Sequence, residues 1–158
     1  MVSATVIEPA GAPEVVRFRS NEGRNAVLAG FTITAGQVGV SCAWSSPLIL
    51  NNIIVANTAD FDKGGAISCY YASPLIENNI IASNLASGGG AGIACEGAEP
   101  VIVGNLIIDN WTDTQGGGIL CIDCFPLIGR NRIIRNVAEG GSGGVSHASG
   151  HTLKSSIT

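Results

Sequence analysis

Apolar residues in this chain come in runs of three to five, each closed by Asn, Gly or Pro. Ser73-Pro-Leu-Ile-Glu-Asn-Asn-Ile-Ile-Ala-Ser-Asn84 holds two such runs, and Gly64-Gly-Ala-Ile-Ser-Cys69 holds a third. Runs of that length are too short for helices and suit strands. The residues between them carry turn chemistry.

The runs recur. Pro47, Pro74, Pro100 and Pro126 are 27, 26 and 26 residues apart. Asn52, Asn79, Asn105 and Asn131 take the same steps, as do Asn57, Asn84, Asn110 and Asn136. Cys42, Cys69, Cys95 and Cys121 form a fourth ladder, and Ile67, Ile93, Ile119 and Val145 a fifth. A repeat of this length is compatible with several solenoids. Leucine-rich repeats need a Leu-x-x-Leu-x-Leu pattern that is absent, and helical repeats need longer amphipathic runs. Three short strands per unit, with bends between them, predict an all-β fold: a right-handed parallel β-helix of about five coils of about 26 residues. Each strand then pairs with its equivalent one coil away, at about 4.8 Å, so like residues stack on like. The Asn ladders are expected to occupy left-handed bends and to bond amide to amide along the stack. The Gly pairs at 64–65, 89–90 and 117–118 are expected to relieve the third turn.

The register extends towards the N-terminus. Residues 26–34 align with 47–55, and Val38-Gly-Val-Ser-Cys42 aligns with 65–69. Thr5-Val-Ile7 and Val15-Val-Arg-Phe18 read as strands of a partial earlier coil. The predicted organisation is one β-helix domain over 1–146. It has a partial coil at 1–25 and coils at 26–46, 47–73, 74–99, 100–125 and 126–146. An irregular tail is expected over 147–158.

These motifs resemble the pectin-lyase-like right-handed β-helix superfamily, and within it bacterial secreted-type repeat proteins of uncertain function. The likeness is carried by Gly30-Phe-Thr-Ile33, Gly116-Gly-Gly-Ile119, Ser73-Pro-Leu-Ile76 and Asn79-Ile-Ile81. Gly64-Gly-Ala-Ile67 also resembles the repeat of chlamydial polymorphic outer-membrane proteins. Their partner motif Phe-x-x-Asn is replaced here by Ile54-Val-Ala-Asn57, so that likeness is partial. The resemblance implies an extracellular or cell-surface setting. Residues 1–13 lack the basic and apolar regions of a signal peptide.

Composition narrows the function classes. The net charge is −4 and the eight basic residues form no run, which argues against nucleic-acid binding. No apolar stretch approaches the roughly 18 residues of a membrane span. The Cys ladder places one thiol per coil, whereas zinc needs thiolates converging in close pairs. It is therefore expected to be inward-facing core with no metal or other cofactor. Parallel neighbours also make a poor disulfide torsion. Cys121-x-x-Cys124 has redox spacing without a thioredoxin-like context, and Cys124 is expected on the following turn.

Four groups are candidates for chemistry. Trp44 and Tyr71 occupy equivalent positions, with Tyr70 adjacent, and exposed rings there would suit a sugar. A turn packing its own rings is the competing reading. Asp60, Asp62, Asp113 and Glu139 lie on the third turn, where lyases of the resembled superfamily use an acidic calcium cluster. They sit in turns of differing length and read as solvated charges, because calcium needs six to eight converging oxygens. Asp109 and Arg135 are equivalent in adjacent coils and predict an exposed ion pair of small energetic weight, with Arg130 and Arg132 nearby. His147 and His151 fall in the tail. Asn110-Trp-Thr112 matches a glycosylation sequon, yet the Asn ladder already explains that asparagine.

Neither end shows an evident cap, and Leu48, Leu75, Val101 and Leu127 form an apolar outward column. Ile53, Ile80 and Leu106 form another. Such surfaces predict a homo-oligomer, or a piece of a longer β-helix. The leading functional expectation is a non-catalytic structural or binding module, for carbohydrate or for self-association. A polysaccharide lyase or hydrolase is the alternative, on fold analogy alone. An ice-binding array is a weaker third reading, since Thr32 and Thr34 do not continue into later coils.

Overall fold

A computed structural model describes residues 5–10, 12–60 and 64–148. Among them there is no helix; every regular element is a short strand. Each full coil visits four sheets in turn. Sheet I holds Val27–Ala29, Leu48–Leu50, Leu75–Glu77, Val101–Val103 and Leu127–Gly129. Sheet II holds Thr5–Ile7, Phe31–Thr34, Ile53–Val55, Ile80–Ala82, Leu106–Ile108 and Arg132–Ile134. Sheet III holds the two-residue strands Thr58–Ala59, Leu85–Ala86, Trp111–Thr112 and Val137–Ala138. Sheet IV holds Glu14–Phe18, Val38–Ala43, Ile67–Tyr70, Ile93–Glu96, Ile119–Ile122 and Val145–Ala148. All neighbours are parallel, so the chain is a parallel β-solenoid of about five turns. Sheet III is an addition to the three expected strands per coil. Its members are too short to leave a period of their own.

The register follows the ladders. Ile49, Ile76, Ile102 and Ile128 stack in sheet I. Ile54, Ile81, Ile107 and Ile133 stack in sheet II. Ile67, Ile93, Ile119 and Val145 stack in sheet IV. The central isoleucines have no solvent exposure, and each contributes about 1.5–3 kcal/mol by leaving water. β-Branched residues suit this interior because their stiff χ1 fits the pleated sheet. Prolines stand one residue before four of the five sheet I strands, with Ala26 in that place before Val27. Pro47, Pro74 and Pro100 give their carbonyls to Leu75, Val101 and Leu127, and lose nothing by lacking an N–H there.

The Asn ladders turn the corners from sheet I to II and from II to III. The Asn79 Oδ1 accepts from both the backbone N–H and the Nδ2 of Asn52, at 2.9 and 3.1 Å. Its own Nδ2 donates to Ile49 O, Glu77 O and Asn105 Oδ1. One side chain thus bridges three coils, and Asn84 repeats the pattern in the second ladder. Phe31 and Gly36 start the ladders with backbone N–H groups bonded to Asn52 and Asn57.

The expectation that these Asn residues adopt the left-handed bend is corrected by the structure. The positive φ falls one residue earlier, at Asn51, Asn78, Gly104 and Arg130 and at Ala56, Ser83, Asp109 and Arg135. The ladder Asn needs its side chain inside to reach carbonyls on both neighbouring coils, so its predecessor makes the bend. The third turn is corrected similarly. Gly64, Gly89, Gly90 and Gly116 take positive φ, while Gly117 and Gly118 do not. At Gly116 (φ 65°) a Cβ would also lie 2.6 Å from Ile119 O.

The last strand of sheet IV runs to Ala148, past the predicted bound at 146. Ser146, His147 and Ala148 extend the last strand of sheet IV, with His147 opposite Cys121. His151, Asp62 and Lys63 lie outside the described residues.

Candidate functional site

The corner between sheets IV and I carries the aromatic cluster. Trp44, Tyr71, Gly97 and Asp123 are equivalent there and all have positive φ, at 50, 46, 58 and 45°. Asn or Gly would adopt that conformation more easily; a bulky residue costs roughly 1–2 kcal/mol. Trp44 and Tyr71 nevertheless occupy it, and they are 62% and 55% exposed. Their rings are parallel to within 5°, with centroids 6.5 Å apart. Tyr70 closes the cluster edge-on, 4.7 Å from Tyr71 and 5.3 Å from Trp44. The floor is Gly97, because a Cβ there would lie 2.6 Å from the Tyr71 ring. Glycine lets the Tyr71 ring lie against the next coil.

The turn behind Trp44 is fixed by polar contacts. The Ser45 hydroxyl donates to the Glu22 carboxylate at 2.7 Å, and the Ser20 N–H donates to the same oxygen. Those bonds, the Ser45 hydroxyl foremost, hold Glu22 below the usual carboxylate range. Tyr70 also looks onto a second feature, an open cavity of about 400 Å³ on the outer face of sheet IV. Ser41, Ser68, Ala94, Glu14 and Glu96 are among the residues that line it. Sequence reading missed this cavity. Ser41 and Ser68 stack in register but carry no distinctive spacing. Glu14 forms an ion pair with Arg17.

The charged residues singled out from sequence lie elsewhere. Asp109 is at the corner between sheets II and III, and Arg135 takes the equivalent place one coil on. The Arg135 guanidinium donates to both Asp109 oxygens, at 2.7 and 2.8 Å. This bidentate pairing holds the carboxyl below its ordinary value and raises Arg135. Arg130 stands at the corner between sheets I and II of the last coil, exposed. The aromatic and charged residues therefore occupy different corners and different coils, and form two separate groups. Asp60, Asp113 and Glu139 are exposed. Among the described residues, no three His, Cys, Asp or Glu side chains are placed to hold a metal ion.

The four ladder cysteines point inward and are buried, as is Cys124. Burial pushes the Cys42 thiol up, and contacts with Cys124 and Cys69 raise Cys95 further. The expected turn position of Cys124 is correct in sequence, but its side chain turns into the core and donates to Cys95 O at 3.5 Å.

No family model, curated protein or solved structure matches this chain. The described residues include no helix long and apolar enough to cross a membrane.

Proposed function

We propose that the chain is a non-catalytic β-solenoid module that binds carbohydrate at the Trp44–Tyr71 corner. The observation that supports it is the placing of two large, exposed aromatic rings on left-handed backbone, where a small residue would cost less. Strained backbone kept at an exposed position is a reason to look for function there. A ring face accepts the C–H side of a pyranose, and the Ser41, Ser68 and Glu96 groups beside Tyr70 offer polar partners for hydroxyls. The net charge of −4 favours neutral over polyanionic glycans. Titration with neutral oligosaccharides, followed by tryptophan fluorescence, tests this. Saturable quenching that is lost in Trp44→Ala and Tyr71→Ala supports the reading. A response unchanged in both variants, or no response across the panel, refutes it.

The likeness to the pectin-lyase-like superfamily rests on the repeat motifs and belongs to this proposal. It supplies the alternative of a lyase or hydrolase. That chemistry needs paired carboxylates close together or a carboxylate cluster with a base. Glu14 and Glu96 border one cavity, but they stand three coils and five residues apart. Their backbones are therefore about 20 Å apart, too far to act on one bond. Asp109 is already engaged by Arg135.

Self-association is a second reading, favoured by the outward columns of sheets I and II. Leu48, Leu75 and Val101 are half-buried, Val27 and Leu127 are 55% and 46% exposed, and Ile53 and Ile80 about two-fifths. Light scattering on the purified chain tests it.

A further inference from the structure

We propose that Glu22 is the positioning residue of the Trp44–Tyr71 corner, the anchor of a hydrogen-bonded relay that holds both rings on left-handed backbone and so sets the face they offer a ligand. The inference rests on the reading of that corner as a binding site. Glu22 lies between the sheet IV strand Glu14–Phe18 and the sheet I strand Val27–Ala29, and it grips the next coil twice. Its carboxylate accepts from the Ser45 hydroxyl at 2.7 Å, and its backbone carbonyl accepts from the Ser46 N–H at 2.7 Å. The Ser20 N–H, also at 2.7 Å, holds the carboxylate from its own side. The hold then passes along the solenoid. The Ser46 hydroxyl accepts from the Ser73 N–H, and the Ser73 hydroxyl from the Glu99 N–H, both at 3.0 Å. Ser46, Ser73 and Glu99 stand two residues beyond Trp44, Tyr71 and Gly97, so the relay links three successive corners.

A bulky residue keeps a positive φ only where its surroundings over-determine it. Trp44 is held on both sides of that torsion. Its own N–H donates to Tyr70 O at 3.1 Å, and the two residues that follow it are both tied to Glu22. Tyr71 is held in the same manner. Its N–H donates to Glu96 O at 2.9 Å, and Ser73 is tied to Ser46 and hence to Glu22. The relay accompanies the rings. Serine stands two residues after Trp44 and after Tyr71; after Gly97 and Asp123, where no ring is present, the same position holds Glu99 and Phe125. The position of Ser45 is occupied in later coils by Ala72, Ala98 and Cys124, and all four residues are buried. A hydroxyl buried there needs an acceptor, and the Glu22 carboxylate supplies it.

The experiment uses the whole chain carrying Trp111→Phe, which leaves Trp44 as its one tryptophan. Near-ultraviolet dichroism then reads the Trp44 ring without any ligand, and titration with neutral oligosaccharides reads binding. Left-handed backbone disfavours a bulky residue by a factor of roughly 5–30, and apparent affinity falls with the competent fraction. Glu22→Ala is therefore expected to lose most of the tryptophan dichroism and to weaken oligosaccharide binding by roughly 5–30-fold. Ser45→Ala, which copies the residue at 72 and 98, is expected to fold and to lose part of both. Glu22→Gln keeps an acceptor oxygen for Ser45 and Ser20 and is expected to restore both. A purely structural Glu22 would lower the melting temperature of Glu22→Ala and leave dichroism and affinity unchanged, which overturns the proposal. Glu22→Gln no better than Glu22→Ala overturns it too, as does native dichroism in Ser45→Ala should Glu22→Ala fail to fold. Dichroism that falls in Glu22→Ala while the unmutated chain binds no oligosaccharide supports the positioning role and refutes the carbohydrate reading instead.

Discussion

Asn79 shows how much one residue contributes to this fold. Its amide carries five hydrogen bonds among three coils, and no buried side-chain polar atom among the described residues lacks a partner. Asn79→Ala removes the side chain and orphans the Asn52 N–H and Nδ2 together with buried carbonyls. With each orphaned group costing about 1–3 kcal/mol, the expected destabilisation is on the order of 3–4 kcal/mol in denaturant titration. Asn131→Ala should cost less, because the last coil is only half-buried and offers those groups water. Equal losses at the two sites would contradict a ladder whose strength comes from burial. Asn79→Asp is expected to be worse than alanine, since it keeps the acceptor but removes the donors and buries a charge. Gly97 makes the same argument about space: Gly97→Ala sets a Cβ against the Tyr71 ring and adds left-handed strain. About 1 kcal/mol of stability should be lost, together with the tyrosine near-ultraviolet dichroism of the cluster.

At the scale of the element, most of the architecture was legible because parallel stacking forces like residues onto like. Isoleucine stacks on isoleucine in three sheets, so any one strand reports the next. Legibility failed where the pattern was ambiguous or absent. Asn51-Asn52 and Asn78-Asn79 are adjacent pairs in which either residue could take the left-handed bend. The later Gly104-Asn105 and Arg130-Asn131 resolve it, since the bend tolerates change of side chain and the ladder does not. Sheet III was hidden by two-residue strands. The inward turn of Cys124 was hidden because its column reads Ser45, Ala72, Ala98, Cys124, with no shared type. The Trp44–Tyr71 neighbourhood was readable from equivalence, whereas the sheet IV cavity beside it depends on side chains that repeat nowhere. The Asp109–Arg135 pair was also readable, and its consequence is a pH dependence. Asp109 has a lowered pKa in the fold, so its contribution is present above its ordinary value of 3.8. It is lost as pH falls through the folded value below that. The melting-temperature gap between the native chain and Arg135→Gln should close as pH drops below about 4, and should narrow in high salt because both side chains are exposed. A gap constant down to pH 2 would mean that the ion pair contributes nothing.

For the whole molecule, stability is a sum of coils and the contacts between neighbouring coils. The 26-residue step is then a unit that can be removed. Excising residues 100–125 joins Glu99 to Pro126 and keeps every column in register. Leu75 then meets Leu127, Ile76 meets Ile128, Asn79 meets Asn131, Asn84 meets Asn136 and Ile93 meets Val145. These are the pairings that already exist through one intervening coil. The shortened chain is expected to keep its β-sheet circular dichroism and to unfold cooperatively at a lower temperature, having lost one coil interface. Excising only 100–112 removes half a period. It sets Asp113 and Thr114 where Pro100 and Val101 would follow Glu99, and moves residues 119–121 of sheet IV to the sheet II positions 106–108. One-residue slips already reverse the faces of a strand, and half a coil also exchanges corner for strand, so this deletion is expected to aggregate. If both deletions folded equally well, the register of the ladders would not be what specifies the solenoid. If neither folded, the coils would be coupled more tightly than a nearest-neighbour sum allows.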